Sequence, residues 1–218
     1  MRLPESLEGV LGLFGGTFDP VHIGHLRTAY ELRVRLGLDC VHFIPAAAPP
    51  HRPAPTAPVE LRVRMLEAAL ADEPGTVLDL CELERAGPSY TIDTAESLRA
   101  EYPRHALCLL LGMDAFLGLP EWRDWERLLT LVNIVVAQRP GASLPASGSL
   151  GRLLAERRVK GGEAEPWQAS GQLIVEDVTQ LEVAATDLRA SIRAGIEPRH
   201  LVPDPVWHII ATSGCYAG

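Results

Sequence analysis

Gly15-Gly16-Thr17-Phe18-Asp19-Pro20-Val21-His22-Ile23-Gly24-His25 is the stretch on which the fold turns. An apolar run, Val10 to Phe14, leads into the glycine pair and reads as a strand. A helical pattern runs out of the loop from about His22 to Leu36, with Gly37 as its stop. Ala29, Leu32 and Leu36 recur at helical spacing on the face that carries His25, and His22 lies one turn earlier. Consecutive glycines after a strand let backbone approach a ligand closely. The N-terminus of the next helix offers free N–H groups and the positive end of its dipole, an arrangement that favours phosphate. Two imidazoles one turn apart add side-chain donors at the same spot, and Gly24 keeps the space between them open.

Taken singly, these parts have plainer readings. A glycine pair after a strand is usually a turn, and a histidine on an apolar face is usually a satisfied core residue. His22 and His25 at i,i+3 have no third ligand nearby in sequence, so no metal site is assigned. The string as a whole carries the weight.

Beyond it, strands and helices alternate. Cys40 to Pro45 reads as a strand, and a proline-dense loop from Pro45 to Pro58 follows. Val59 to Ala71 is a helix, Val77 to Leu83 a strand, and Thr91 to Glu101 a helix with Thr91 or Ser89 as its cap. Ala106 to Leu111 is a continuous apolar run, as a central parallel strand covered on both faces requires. Trp122 to Leu129 reads as helix, Asn133 to Ala137 as strand, and 141–172 as a variable connection with a helical stretch near Leu150 to Arg158. Leu173 to Val178 is a strand, and Thr186 to Ala194 and Pro205 to Thr212 are helices. The expectation is an α/β fold, a Rossmann-like open, mainly parallel sheet with helices on both faces.

Composition removes other classes. The 218 residues suit one domain, and 47% hydrophobic with 22% charged is ordinary for a globular chain. Lys and Arg number 20 against 28 Asp and Glu, a net charge of -8 that disfavours nucleic acid as a partner. No apolar run approaches a membrane span, and Asp114 interrupts the nearest one. Four scattered cysteines without a CxxC pair fit a reduced, cytoplasmic setting.

GGTFDPVHIGH resembles the GGxFxPxHxGH signature of the nucleotidyltransferases related to class I aminoacyl-tRNA synthetases. Further segments are similar to the bacterial nicotinate-nucleotide adenylyltransferase family: Pro49-Pro50-His51-Arg52, Ser89-Tyr90-Thr91 with Asp93-Thr94, Gly112-Met113-Asp114 with Trp122, and Thr186-Asp187-Leu188-Arg189. The resemblance covers nearly the whole chain, leaving only about 141–172 unmatched. It implies a single nucleotidyltransferase-fold domain over 1–218, with a small helical portion from about 186. It also implies ATP and nicotinate mononucleotide as partners, with nicotinate adenine dinucleotide and pyrophosphate as products.

On that resemblance, His22, His25 and Arg189 are the expected catalytic residues, donors to the ATP phosphates. Gly15, Gly16, Thr17, Phe18, Gly24, Thr186 and Arg189 would shape the phosphate cradle, and Asp114 would accept the adenosine ribose. His51, Arg52, Tyr90, Thr91, Trp122 and Arg123 would receive the mononucleotide, with Trp122 stacking on the pyridine ring. His51 and Arg52 would close over the phosphates. Mg²⁺ is expected, held mainly by phosphates and water. Asp19 is read as a loop cap in preference to a Mg²⁺ neighbour. One departure stands out: Ala184 and Ala185 occupy positions where the family usually carries serine. A monomer or small homo-oligomer is expected.

Competing readings are a class I synthetase, which lacks its lysine motif here, and a phosphopantetheine adenylyltransferase. A nicotinamide mononucleotide enzyme and a nucleotide-binding protein without activity complete the set.

Overall fold

The computed structural model describes residues 3–47, 54–139, 141, 143–159, 166–179 and 181–217. In chain order the elements are β1 (Gly9–Gly16), α1 (Ile23–Leu36), β2 (Cys40–Pro45), α2 (Val59–Leu70), β3 (Thr76–Leu78), α3 (Thr91–Glu101) and β4 (His105–Gly112). There follow α4 (Met113–Leu117), a 3-10 turn (Leu119–Glu121), α5 (Trp125–Leu131), β5 (Asn133–Gln138), α6 (Gly148–Arg157), β6 (Arg158–Val159), β7 (Leu173–Asp177), α7 (Ala185–Arg193) and α8 (Asp204–Ser213).

The seven strands form one sheet in the order β3-β2-β1-β4-β5-β7-β6, and every pairing is parallel. The chain winds outward from β1 to β3, then returns to β4 on the other side of β1. Strand order therefore reverses between β1 and β4. Their carboxyl ends flank the crevice in which open α/β sheets bind ligands.

Burial explains why these residues make this sheet. Along β4, Ala106, Cys108 and Leu110 face a core shared with α1, α2, α7 and α8. Leu107, Leu109 and Leu111 face a second core with α3, α5 and α6. A strand covered on both faces must be apolar throughout, and this one is. The helices thus lie on both faces, as the α/β expectation requires.

Several boundaries differ from the sequence expectation. β1 continues through Gly15 and Gly16, which pair with Ile44 and Pro45 of β2, so the glycines end the strand instead of following it. The strand expected over Val77 to Leu83 stops at Leu78, because Asp79 turns away to pair with His42 and the Cys81 N–H. The helix expected from Trp122 begins at Trp125, after the short α4 and the 3-10 turn. α3 is capped by the Tyr90 backbone. Ser89 Oγ instead accepts the Ala47 N–H at 2.9 Å and ties the end of β2 to the start of α3.

No helix among the described residues is long and apolar enough to cross a membrane.

Candidate active site

The loop between β1 and α1 lies at the reversal point. Gly15 is exposed, and a Cβ built on it meets no atom within 4 Å. The same is true of Gly112 at the end of β4. Neither glycine is required by its protein neighbours, so both keep the crevice floor clear. Gly16 is different: a Cβ there would stand 2.9 Å from the Phe18 ring. Phe18 takes a left-handed backbone (φ 49) and buries its ring against Phe14, Phe43 and His25. Its side chain is therefore the loop's anchor, while its backbone forms part of the expected cradle.

His22 caps α1, and its backbone N–H donates to His25 Nδ1 at 3.3 Å. A neutral His25 accepting there carries its proton on Nε2. The two rings stack with centroids 3.7 Å apart. A Cβ on Gly24 would stand 3.0 Å from His22 Nδ1, so any larger residue there would crowd the imidazole. His22 is 5% exposed, and burial drives its pKa down to about 4. At neutral pH it is uncharged; its side chain turns over the first turn of α1 toward the His25 N–H, as in a capping box, but the buried Nδ1 completes no hydrogen bond of full geometry. An orphaned polar atom of this kind marks a place for a ligand or water. The Ile23 N–H is taken by the Leu201 carbonyl at 3.0 Å, so α1 opens on the Gly24 N–H and not on a full set of free amides.

Asp19 is the hub beneath the loop. Its carboxylate accepts the Thr56 N–H at 2.7 Å, the Ala57 N–H at 3.0 Å and the Tyr216 O–H at 2.7 Å. It therefore caps the segment entering α2, in line with the loop-cap reading. Arg189 Nη1 donates to the Asp19 carbonyl at 2.6 Å, and Nη2 donates to Thr186 Oγ1 at 3.3 Å. Arg62, 1% exposed, donates to the Thr17 carbonyl at 2.7 Å. The structure thus brings Thr186 and Arg189 to the glycine loop from more than 160 residues away in sequence. Ala184 opens α7 with no side-chain cap, so the missing serine leaves the first amides of that helix bare.

On the second-core side, Asp114 lies exposed in the first turn of α4, just past the end of β4. Tyr90 and Thr91 open α3. Arg123 lies over the Tyr90 ring, 3.9 Å from its centroid, and pairs with Asp93. These contacts engage the Arg123 guanidinium at the start of α3, whereas the expected donor at this position is its backbone N–H. Trp122 is half-buried and packs against the core that holds Leu119 and Leu128. His51 and Arg52 lie outside the described residues. Among the remaining tryptophans, Trp125, Trp167 and Trp207 all pack in the cores.

Sequence reasoning passed over Arg62 and Tyr216. Arg62 could have been noticed, since it falls at i+3 from Val59 and i−4 from Leu66, on the apolar face of α2. Nothing in the sequence marks Tyr216. Among the described residues no group of three His, Cys, Asp or Glu is placed to hold a metal ion.

The family profile described as cytidylyltransferase-like matches residues 13–191. A Methylococcus capsulatus protein named "Probable nicotinate-nucleotide adenylyltransferase" is 45% identical over 209 residues, covering 95% of this chain and 100% of that one. A Pseudomonas syringae pv. tomato protein of the same name is 45% identical over 212 residues, covering 97% and 95%. Among solved structures, the Plasmodium falciparum nicotinic acid mononucleotide adenylyltransferase complexed with NaAD superposes with a TM-score of 0.74 at 12% identity. It covers 95% of this chain and 97% of its own, and at that identity the likeness speaks for the fold alone.

Proposed function

The chain belongs to the cytidylyltransferase-like family and, within it, to the nicotinate-nucleotide adenylyltransferases; from that premise we infer that it transfers the adenylyl group of ATP to nicotinate mononucleotide, forming nicotinate adenine dinucleotide and pyrophosphate. The observation that carries the site assignment is the meeting of the orphaned His22 Nδ1, the cleared floor at Gly15 and Gly112, and Arg189 at one sheet edge.

The chemistry asks little covalent work of the protein. A phosphate monoester is already anionic near pH 7, so its attack on the α-phosphorus needs no general base. The enzyme's task is positioning and charge stabilisation. His22 and His25 donate to oxygens on which charge builds as pyrophosphate leaves, and one such donor is worth roughly 10²–10³ in rate. The Gly24 N–H and the bare first turn of α7 add backbone donors, and Arg189 holds the β and γ phosphates. Asp114 accepts the ribose hydroxyls. Trp122 stacks on the pyridine ring, with the opening amides of α3 for the carboxylate. His51 and Arg52 close over the phosphates. The donor set suits Mg²⁺ carried in by the nucleotide: the carboxylate nearest the loop, Asp19, already accepts three hydrogen bonds. When bound, that ion would supply neutralisation of phosphate charge. The reading extends to a cytoplasmic enzyme of one domain, a monomer or small homo-oligomer, with no nucleic-acid partner.

The test is pyrophosphate release from ATP with nicotinate mononucleotide, nicotinamide mononucleotide and phosphopantetheine side by side. The reading expects the highest kcat/KM with the nicotinate form. Turnover of phosphopantetheine without turnover of nicotinate mononucleotide overturns it.

A further inference from the structure

Tyr216 stands third from the end of the chain and far from every motif. Gly214 closes α8 in a left-handed conformation (φ 66), and the chain turns back on itself. That turn places the Tyr216 ring in the core at 2% exposure, in the cluster that also holds Leu188 and Ile192 of α7. Its hydroxyl reaches the carboxylate of Asp19, itself 4% exposed. A buried phenol is expected to find a partner. The choice of partner is what matters here.

The Asp19 carboxylate is the nearest acid to Arg189. Left to themselves, a buried carboxylate and a guanidinium close into a bidentate pair. Here they do not. Arg189 Nη1 stands 3.6 Å from Asp19 Oδ2, beyond hydrogen-bond reach, and donates to the Asp19 carbonyl instead. The reason is competition. Oδ2 is taken by the Thr56 N–H, and Oδ1 is shared by the Ala57 N–H and the Tyr216 O–H. Two of the guanidinium's five donors are engaged, one on the Asp19 carbonyl and one on Thr186. The others remain for an anion.

We propose that Tyr216 is a positioning residue for ATP: its hydroxyl satisfies the Asp19 carboxylate and so keeps that carboxylate from capturing Arg189. The proposal rests on the adenylyl-transfer reading for the identity of the anion, and on the geometry alone for the coupling between the three side chains. In Tyr216→Phe the ring and its packing stay, and Oδ1 keeps only the Ala57 N–H. Arg189, whose Nη1 already stands 3.6 Å from Oδ2 of the same carboxylate, then faces an acceptor that has lost one of its donors.

A double-mutant cycle decides it. Wild type, Tyr216→Phe, Arg189→Ala and the double variant are compared by steady-state kinetics and by calorimetric titration with ATP alone. Tyr216→Phe should weaken ATP, in KM and in affinity, by about fivefold, the equivalent of one hydrogen bond. The KM for nicotinate mononucleotide should stay within about twofold, and the melting temperature within about 4 °C. In the Arg189→Ala background the same change should have no further effect on ATP affinity.

An equal loss of ATP affinity with and without Arg189 overturns the proposal. So does an unchanged ATP affinity in Tyr216→Phe, or a large drop in melting temperature with both substrates affected alike. If the wild-type protein turned over neither pyridine mononucleotide, the functional reading would fall by itself. The calorimetric cycle on ATP would still decide the role of Tyr216.

Discussion

Replacing Gly15 and Gly16 one at a time by alanine separates what the ligand needs from what the fold needs. A methyl on Gly15 meets no protein atom within 4 Å, and Gly15 is not among the positive-φ residues. The fold should therefore accept it. Narrowing the unfolded ensemble stabilises such a variant by about 0.4–1 kcal/mol, a rise of roughly 1–4 °C in a chain of this length. A methyl on Gly16 lands 2.9, 3.1 and 3.2 Å from three carbons of the Phe18 ring. That ring is boxed in by His25 at 5.1 Å, Phe43 at 5.7 Å and Phe14 at 5.9 Å, so it cannot give way. Overpacking of this kind costs about 1–3 kcal/mol. Function should order the pair the other way. On Gly15 the methyl projects into the space assigned to the triphosphate, and a loss of about 1.4 kcal/mol there is tenfold in kcat/KM. Thermal unfolding and ATP-dependent pyrophosphate release read the two effects independently. A Gly15→Ala protein with wild-type kcat/KM would refute the placement of phosphate over β1, however stable it proved.

Three further outcomes are expected. Trp122→Ala should raise KM for the mononucleotide by about tenfold, the loss of a stacking partner, with little change for ATP; equal effects on both substrates would make Trp122 a core residue. Arg62→Met should cost about 2 kcal/mol of stability in thermal or denaturant unfolding, because the Thr17 carbonyl loses its donor; an unchanged stability would remove Arg62 from the loop's support. Burial alone would lower the His42 pKa, but the Asp79 carboxylate at 2.9 Å together with the Cys40 side chain raises it to about 9. The folded state thus holds a proton the unfolded chain releases near pH 6.5, so stability should fall by about 2 kcal/mol between pH 7 and pH 9. His42→Asn should flatten that slope.

What the sequence disclosed and what it withheld divide along a physical line. Apolar runs and glycine stops are local signals, and they placed β1, α1, β4 and both sheet faces correctly because each element's burial is written in its own periodicity. Asp79 shows the limit. Its neighbours read as strand, but its carboxylate takes both the Cys81 N–H in a local turn and the ring of His42, distant in sequence, and the strand ends at Leu78. The same holds for the half-buried Arg99. It donates to the carbonyls of Tyr102, Pro103 and His105 in the turn after α3, and to those of Leu131 and Ala169 on two further segments. No periodicity announces such a side chain. Tyr216 is the extreme case, since its partner lies at the opposite end of the chain.

A net charge of -8 makes an anionic substrate look unwelcome until the charges are located. Around the glycine loop stand two guanidiniums, Arg62 and Arg189, and one carboxylate, Asp19. His22 adds no charge at neutral pH, since burial holds its pKa at about 4. The empty site is thus only weakly positive, and an arriving triphosphate brings more negative charge than the fixed cations offset. On the proposed reading, Mg²⁺ carried by the nucleotide would offset part of the difference. The rest should fall to His22. Lifting its pKa from about 4 to about 6.5 takes roughly 3 kcal/mol of added attraction. A phosphate charge about 4 Å from the ring, at an effective dielectric of about 20, supplies roughly 4 kcal/mol. ATP binding should then take up about half a proton at pH 6.5, and less as pH rises. Calorimetric titration in buffers of different ionisation enthalpy measures that number directly. His22→Gln supplies the background due to the nucleotide's own ionisation. Identical proton uptake by wild type and His22→Gln, with binding intact in both, would show that the phosphates do not lie against His22.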